Sequence, residues 1–246
     1  MSRPPPEFDL LSRAELGRRR TQLLARIRRK YNTLTESLYF GPLNLEFVRV
    51  EDPNVVLDQI VIAEDRLEKL TGKRRDGDEL HLPYWAELWD SAFGIAQHLV
   101  RVRPARKVID LGCGMGLAGT VAAAMGANVL LADLEPDALL FARLNTLAYS
   151  SRSCVRRLNW QTETLDEKFD LILGADVLYD RKQWESLDRF WTAHLNAGGA
   201  ILLGEPGRQT GDLFIDWIAS RGWRLDRAQE RVESRAKTIR LLRLTK

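Results

Sequence analysis

Four glycines lie close together in the middle of the chain, between a short apolar run and a run of small residues. Gly112, Gly114, Gly116 and Gly119 follow the letters V-I-D-L and lead into T-V-A-A-A-M. The order strand, glycine turn, helix brings bare backbone N–H groups at a helix N-terminus into contact with a ligand in α/β proteins. The sequence therefore predicts a ligand site on this turn, and the remaining elements can be placed before or after it.

The same glycines satisfy two motifs. The letters from Gly114 to Gly119 form G-x-G-x-x-G, the dinucleotide fingerprint, with Asp133 about 20 residues downstream. The longer pattern D-x-G-x-G-x-G begins at Asp110, and a pyrophosphate on the turn would face this carboxylate. S-adenosylmethionine instead carries a sulfonium and an α-ammonium group, which an acid beside the turn stabilises. The charge argument favours S-adenosylmethionine over NAD, while a purely structural glycine turn remains the alternative.

Polar residues also follow the next two predicted strands, at the edge where open α/β sheets bind ligands. The strand at 128–132 ends in Asp133, whose carboxylate can accept hydrogen bonds from both hydroxyls of an adenosine ribose; capping of the following helix is its alternative role. The strand at 154–158 precedes Asn159 and Trp160. We expect the Asn159 carbonyl to accept from the adenine amino group and the indole to stack on or shield the ring.

The apolar strand predicted at 169–174 ends in A-D-V-L-Y. Because the ends of central strands project into the site, Asp176 and Tyr179 are the first candidates for substrate contact and catalysis. The expected cofactor contacts are Trp89, Asp110, Gly112, Gly114, Gly116, Asp133, Leu134, Asn159, Trp160 and Ala175. No metal is expected.

Two tryptophans stand before the glycine turn, in the letters H-L-P-Y-W-A-E-L-W that begin at His81. A helix capped by Asp90 or Ser91 is predicted to follow them and to cover the ligand edge of the sheet. Trp85 and Trp89 can wall the methionine end of a bound sulfonium, with a cation–π attraction of roughly 0.5–2 kcal/mol. Plain packing is the alternative for both indoles.

Composition narrows the class of protein. The chain has 246 residues, of which 45% are hydrophobic, as in a globular protein with a real core. No apolar run approaches the length of a membrane span, and the first residues lack the apolar core of a signal peptide. The two cysteines, Cys113 and Cys154, do not make a disulfide framework. A cytoplasmic protein without membrane contact is expected.

The positive charge is concentrated at the start of the chain. Residues 1–30 hold nine basic and three acidic side chains, a net +6, so the remainder carries −3 of the total +3. The apolar residues Leu16, Leu23, Ile27, Tyr31 and Leu34 are spaced as one helical face. We expect a helix laid on the body with a solvated arginine face. Nucleic-acid contact is the alternative and is not favoured, because aromatic residues are sparse in this arm.

The order of strands and helices predicts the fold class. We expect an α/β, Rossmann-like three-layer sandwich with a seven-stranded, mostly parallel sheet whose last strand is antiparallel. Residues 1–80 form an N-terminal extension and residues 81–246 the main domain, with a loop at 71–79 near the boundary. Within the extension, 43–50 alternates as a strand, while 54–70 fits either a strand and a helix or one helix.

These motifs resemble a known family. D-L-G-C-G-M-G at 110–116, Asp133, N-W at 159–160 and D-V-L-Y at 176–179 look like the class I, seven-β-strand S-adenosylmethionine-dependent methyltransferases. The letters P-Y-W-A-E-L-W and the later G-E-P-G-R resemble the protein-lysine methyltransferase branch, which includes the electron-transfer-flavoprotein β-subunit lysine methyltransferase and its bacterial relatives. The likeness covers residues 82–246. The branch usually has Asp where this chain has Asn159, and the first 80 residues match no known pattern.

The resemblance implies methyl transfer from S-adenosylmethionine, with S-adenosylhomocysteine as product, to a lysine side chain of a protein substrate. The lysine ammonium must first lose its proton, which costs roughly 4 kcal/mol at neutral pH. We expect Asp176 and Tyr179 to orient the amine, with Tyr179 closing an aromatic rim, and no single general base. The histidines, His81, His98 and His194, are scattered.

Two alternatives stay open: a methyltransferase that acts on a small molecule or RNA, and a module that binds S-adenosylmethionine without turnover. An RNA enzyme of the amino-methylating type would show an N-P-P-Y-like tetrad after the fourth strand, and A-D-V-L-Y differs from it. The sequence leaves the oligomeric state open.

Overall fold

The computed structural model describes residues 10–72 and 82–246. They form a seven-stranded sheet and a separate two-stranded hairpin, together with seven α-helices in the described ranges. The strands are β1 (Thr33–Phe40), β2 (Leu43–Val50), β3 (Lys107–Leu111), β4 (Asn128–Asp133), β5 (Ser153–Arg157), β6 (Phe169–Ala175), β7 (Leu195–Glu205), β8 (Arg224–Val232) and β9 (Lys237–Thr245). The helices are α1 (Arg13–Arg28), α2 (Pro53–Thr71), α3 (Asp90–Arg101), α4 (Leu117–Ala124), α5 (Pro136–Asn145), α6 (Trp184–His194) and α7 (Gln209–Ala219). Over the residues described, none of these helices is long and apolar enough to cross a bilayer.

The order of strands in the large sheet is β5-β4-β3-β6-β7-β9-β8. Strands β3 to β7 pair in parallel, and β9 runs antiparallel between β7 and β8. The expected seven-stranded sheet with an antiparallel last strand is confirmed. The chain runs outward from β3 to β5 and then returns to β6 on the other side of β3. This reversal makes the gap beside the end of β3 the topological switch point, where such sheets bind ligands.

Both faces of the central strands are buried, which explains their continuous apolar character. Val108 and Leu131 face one core, into which α3, α4 and α5 also pack. Ile109 and Leu111 face the other core, together with side chains from α6 and α7. The sheet is thus held between two helical layers, and the carboxyl ends of its strands stay fixed relative to one another.

The N-terminal extension begins with α1, whose start is fixed by a capping box between Ser12 and Glu15. The helix ends at Arg28, before Tyr31, and Leu34 lies in β1. The prediction that these two residues continue one helical face is therefore wrong: the chain turns at the end of α1 and their side chains belong to other elements. The segment that fitted two interpretations is one helix, α2.

The extension packs on the rest of the chain as part of one core. Ile27 and Phe47 are fully buried in the same hydrophobic cluster as α3 to α5. The buried Asn145 side chain accepts from the Val48 N–H at 2.8 Å and donates to the Val48 and Met115 carbonyls at 3.0 and 2.9 Å. The predicted domain boundary, between residues 80 and 81, lies outside the described residues, and the division into two domains stays a prediction.

Candidate active site

The glycine turn follows β3 at the switch point. Gly112, Gly114 and Gly116 have φ values of 68°, 53° and 88°, in the left-handed region that favours glycine. A Cβ on Gly116 would stand 2.9 Å from the Leu131 Cδ2 atom, so the absence of a side chain also lets α4 approach β4. The N–H groups of Gly112 and Cys113 both donate to the Ala132 carbonyl, at 2.8 and 3.0 Å, which ties the turn to the adjacent strand.

Residues from three strand ends meet over Gly112. A Cβ at this position would lie 3.1 Å from the Val177 Cγ1 atom and 3.5 Å from the Trp160 ring. The Trp160 Nε1 atom is buried and has no hydrogen-bond partner among the described residues. The loops after β3, β5 and β6 therefore converge, as expected from the sequence. Val177 was not identified from the sequence, because an apolar residue at a strand end carries no functional signal.

Asp110 lies under the turn and not on its open side. Its side chain is 1% exposed, and its Oδ2 atom accepts from the Gly119 N–H at 2.7 Å, which fixes the start of α4. Its Oδ1 atom has no partner in the described part of the chain. Burial raises the pKa of Asp110 to about 7, although the Gly119 N–H opposes this shift. Part of the Asp110 population is thus protonated at neutral pH.

Asp133 connects the glycine turn to α5. Its Oδ2 atom accepts from the Gly114 N–H at 2.8 Å, and its Oδ1 atom accepts from the Glu135 N–H at 2.9 Å. Burial raises the pKa of this carboxyl, and the two N–H groups oppose the change. The N-cap of α5 is Glu135, so Asp133 orders the turn before the helix. Each carboxylate oxygen retains a lone pair for a ligand hydroxyl.

The loop after β5 is held by local hydrogen bonds. The Asn159 side chain accepts from the Gln161 N–H at 2.9 Å, while the Asn159 N–H donates to the Glu163 carboxylate at 2.8 Å. The Leu134 carbonyl accepts from the Arg157 Nε atom at 2.9 Å. These contacts hold the backbone that carries Trp160 to Gly112. The Asn159 oxygen keeps a second lone pair, so the predicted contact with an adenine amino group stays open.

Asp176 forms a two-pronged ion pair with Arg208. The Arg208 Nη1 atom lies 2.8 Å from Asp176 Oδ1, and Nη2 lies 3.0 Å from Oδ2. Asp176 has a φ of 57°, a strained value for a residue with a side chain, and its N–H donates to the Gly204 carbonyl at 3.0 Å. Burial raises the pKa of Asp176 to about 6, and the charge of Arg208 opposes the rise. Asp176 therefore remains mostly ionised at neutral pH.

A second network holds Arg208 in place. The buried carboxylate of Glu205 accepts from the Arg208 N–H and, at 2.6 Å, from the Arg240 Nε atom. The Arg208 guanidinium lies over the Trp89 ring, 5.3 Å from its centroid. The sequence offered G-E-P-G-R as a motif but no role for its arginine, since the partner Asp176 is 32 positions away in the chain.

Exposed aromatic rings border this ion pair. The Tyr84 ring centroid lies 5.3 Å from that of Tyr179 and 6.4 Å from that of Trp89. The Trp89 Nε1 atom donates to the Tyr84 carbonyl at 2.8 Å. Tyr84 and Tyr179 are 45% and 43% exposed, so two large aromatic rings in contact form an exposed patch at the surface. We call Tyr84, Trp89 and Tyr179 the aromatic rim; the sequence did not single out Tyr84.

The two tryptophans before α3 have different surroundings. Trp85 is buried, with its ring 5.3 Å from Tyr31 and 5.7 Å from Phe141, so packing accounts for it. Trp89 is half-buried and occupies the N-cap position of α3. The expected cap by Asp90 or Ser91 is absent at this helix, because Trp89 precedes the first turn and offers no side-chain acceptor.

Cys113 and the described histidines, His98 and His194, do not supply a base or a nucleophile to this site. Burial raises the pKa of Cys113 well above its usual value. His194 is buried, and its Nε2 atom accepts from the Leu165 N–H at 3.4 Å. Burial also lowers the pKa of His98. His81 lies outside the described residues.

The site therefore has two adjoining parts. The first comprises the glycine turn, the acids Asp110 and Asp133, and the Trp160 indole. Neither acid forms an ion pair with a cation in the described ranges, so a ligand that carries positive charge and hydroxyl groups is complementary to them. The second comprises Asp176, Arg208 and the aromatic rim, which together suit a polar group at the end of an extended apolar stem.

Comparison with known proteins places these residues in a family context. Residues 81–219, more than half of the chain, match a family model described as "Lysine methyltransferase". The electron transfer flavoprotein beta subunit lysine methyltransferase of Danio rerio is 35% identical over 135 residues, covering 51% of this chain and 51% of that protein. Protein N-lysine methyltransferase METTL21A of Mus musculus is 37% identical over 130 residues, covering 48% of this chain and 58% of that protein. The chain thus spans about half the length of the curated relatives it matches.

Solved structures share the fold at low sequence identity. The glycopeptide N-methyltransferase MtfA, complexed with sinefungin, has a TM-score of 0.55 and 14% identity, and the match covers 65% of this chain and 95% of that one. The N-methyltransferase NodS from Bradyrhizobium japonicum, in complex with S-adenosyl-L-homocysteine, has a TM-score of 0.52 and 19% identity, with coverage of 62% and 84%. These likenesses concern the fold alone.

Proposed function

The chain belongs to the lysine methyltransferase family, and from this premise we propose that it transfers a methyl group from S-adenosylmethionine to the amine of a lysine side chain in a protein. The observation that carries the proposal is the position of the aromatic rim and the Asp176–Arg208 pair. Asp176 and Tyr179 follow β6, which pairs with β3 and ends beside the glycine turn, and Arg208 and Tyr84 contact them from other parts of the chain. One part of the site is suited to a cationic nucleotide, and the other to an amine on a long stem.

The residues of the first part fit S-adenosylmethionine. The left-handed glycines form a turn without side chains at the start of α4, and Asp110 and Asp133 provide negative charge without a described cationic partner. Asp133 keeps acceptor capacity for ribose hydroxyls, and the unpartnered Trp160 Nε1 lies in the loop assigned to the adenine. When bound, S-adenosylmethionine supplies an electrophilic methyl group and leaves as S-adenosylhomocysteine. A pyrophosphate on the turn would lie close to both acids, the buried Asp110 and Asp133, without a described counter-charge.

The residues of the second part act on the acceptor amine. An ammonium has no lone pair for attack, and removing its proton at neutral pH costs roughly 4 kcal/mol. The rings of Tyr84, Trp89 and Tyr179 exclude water from the lysine stem, which lowers the pKa of its amine. The positive charge of Arg208 offsets the negative charge of Asp176, which would otherwise favour the ammonium. The neutral amine is therefore favoured without a dedicated general base.

Asp176 then orients the amine. Its carboxylate, held by Arg208 and by its strained backbone, accepts an N–H of the incoming amine and directs the nitrogen lone pair toward the glycine turn. Positioning of this kind supplies much of the acceleration in a displacement reaction. The proton leaves the lysine before attack and passes to solvent, so Asp176 serves as an acceptor of hydrogen bonds and not as a proton store.

The test uses purified protein, tritium-labelled S-adenosylmethionine and a cell extract. We expect label in a protein band that yields methyl-lysine after acid hydrolysis. The variant Asp176→Asn should abolish this label, whereas Asp226→Asn, an exposed acid on β8, should not change it. Label in RNA or in small molecules would refute the proposal in favour of another acceptor. The absence of label with every extract would indicate a binding module without turnover.

A further inference from the structure

A groove lies between α1 and β5, the strand at one edge of the large sheet. It encloses about 480 Å³. Its lining includes Arg19, Leu23, Arg26, Arg143, Cys154 and Val155. Three of the described side chains that line it are arginines and none of those described is acidic, so this lining is positively charged. We call it the α1–β5 groove.

Two of these arginines lack an acidic partner. Within the described ranges, neither Arg26 nor Arg143 forms an ion pair, and the Arg143 Nη2 atom makes only a long contact, 3.5 Å, to the Val155 carbonyl. Burial and the neighbouring charge of Arg26 lower the pKa of Arg143. Like charges that face each other without an anion between them repel, so an acidic ligand placed there is stabilised by both.

The backbone of β5 adds a second kind of binding capacity. This strand is the last in the sheet, and within the described residues only β4 pairs with it. The Val129 N–H donates to the Arg152 carbonyl, and the Leu158 N–H donates to the Asp133 carbonyl. These two bonds show that the even-numbered residues of β5 direct their backbone groups toward β4. Ser153, Val155 and Arg157 therefore direct their N–H and C=O groups outward. Such an edge is a template for pairing with another extended chain.

We propose that the α1–β5 groove binds an extended acidic segment of the protein that is methylated, an inference that rests on the proposed function. The backbone of the segment pairs with the outer edge of β5, and every second side chain, a carboxylate, contacts Arg26 and Arg143 on the α1 side of the sheet. RNA is a poorer match, because none of the described side chains that line the groove is aromatic and could stack on a base.

The groove is within reach of the aromatic rim along a single chain. The carboxyl ends of β5 and β6 lie on the same edge of the sheet, with β4 and β3 between them. Three strand spacings amount to ~14 Å, the groove residues of β5 lie up to about 13 Å before its carboxyl end, and an extended chain advances about 3.3 Å per residue. A linker of about six to eight residues between the acidic segment and the target lysine therefore connects the two sites.

The test measures binding directly, without methyl transfer. The probe is a fluorescein-labelled octapeptide of alternating glutamate and valine, titrated with the protein and followed by fluorescence anisotropy at low ionic strength. We expect the double variant R26E R143E to bind it at least tenfold more weakly than the parent protein. The matched control R224E R227E makes the same change of net charge on exposed residues of β8, the opposite edge strand. It should bind within twofold of the parent.

Three further arms define the occupant and its place. A peptide N-methylated at alternate backbone positions cannot pair with β5 and should bind at least fivefold more weakly. Bound peptide should slow alkylation of Cys154, mapped by mass spectrometry, in the parent but not in R26E R143E. An eight-nucleotide RNA that binds more tightly than the peptide and displaces it would overturn the proposal, as would equal peptide affinities of the two double variants.

This outcome is separable from that of the proposed function. Calorimetry with S-adenosylhomocysteine should give the same affinity in R26E R143E as in the parent, which shows that the variant is folded. If the parent protein does not bind the peptide but still methylates a protein in the extract, the docking site alone is refuted. An extract in which no protein is methylated refutes the proposed function, and the anisotropy result still decides whether the groove binds acidic chains.

Discussion

The affinity for S-adenosylmethionine should depend on the protonation of Asp110. This carboxyl is buried, one of its oxygens has no partner in the described part of the chain, and burial raises its pKa to about 7. A sulfonium nucleotide on the glycine turn favours the charged form of Asp110. The protein must therefore release a proton when it binds this ligand, to the extent that Asp110 is protonated beforehand.

The magnitude follows from the pKa of about 7. Asp110 is ionised in about half of the molecules at pH 7 and in about one in eleven at pH 6. If only the ionised form binds well, the affinity rises about fivefold from pH 6 to pH 7, and about half a proton leaves per ligand at pH 7. The ligand's own α-amino group contributes little over this range, since it titrates near pH 8.

The assay is isothermal titration calorimetry at pH 6 and pH 7, each in two buffers of different ionisation enthalpy, so that proton release is measured directly. The control is Asp110→Asn, which retains an oxygen to accept from the Gly119 N–H and removes the titrating group. We expect the variant to bind with no fivefold change and no proton release. Equal pH dependence in the parent and in Asp110→Asn would refute this role of Asp110.

Three other substitutions test separate parts of the structure. Arg208→Gln removes the charge that opposes the rise in the pKa of Asp176, so this pKa should increase from about 6 by roughly 1–3. The rate of methylation should therefore fall at pH 7 and partly return at pH 9. An unchanged pH–rate profile would contradict this. Tyr179→Ala should slow label transfer at least tenfold and leave the affinity for S-adenosylmethionine unchanged. Tyr179→Phe keeps the ring and should keep most of the rate. Equal rates in the two variants would show that the aromatic rim does not contribute to methyl transfer. Asn145→Ala breaks three buried hydrogen bonds and should lower the free energy of unfolding, measured by urea titration, by roughly 2–4 kcal/mol. A loss below about 0.5 kcal/mol would show that these bonds do not stabilise the packing of the β1–β2 hairpin.

Asp110 also makes stability depend on pH. Its folded pKa of about 7 lies above the ordinary value of 3.8, so folding favours the protonated form. The contribution to stability is full below pH 4 and is lost as the pH rises toward 7. Asp110→Asn should remove this part of the dependence, and the difference in unfolding free energy between the two proteins, measured from pH 4 to pH 8, would be flat if Asp110 did not titrate.

The parts of the fold that the sequence could predict are those with local signals. The glycine turn, the strand that ends in Asp133 and the strand that ends in Asp176 each combine an apolar run with a polar residue at its end. Parallel strands bring such ends to one edge, so the convergence of these residues at a candidate site could be predicted without coordinates. The expected family and the seven-stranded sheet are confirmed by the comparisons and by the topology.

Contacts between distant parts of the chain could not be inferred. Arg208 pairs with Asp176, and Tyr84 lies against Tyr179, across separations for which no local pattern exists. The spacing of Leu16, Leu23, Ile27 and Tyr31 resembles a helical face, but α1 ends at Arg28 and the Tyr31 hydroxyl donates to Asp137. The burial of Asp110 could not be predicted either, because a motif gives residue types and not the side of the turn on which they lie.

The central claim is that a positively charged sulfur nucleotide binds at the glycine turn beside Asp110 and Asp133. Calorimetry of the purified protein with S-adenosylmethionine, S-adenosylhomocysteine, NAD and NADP tests it most directly. The account predicts saturable binding of the first two, at least tenfold weakened in Asp133→Ala, and no heat with either dinucleotide. Tight binding of NAD or NADP, with no heat from S-adenosylmethionine or S-adenosylhomocysteine, would contradict it.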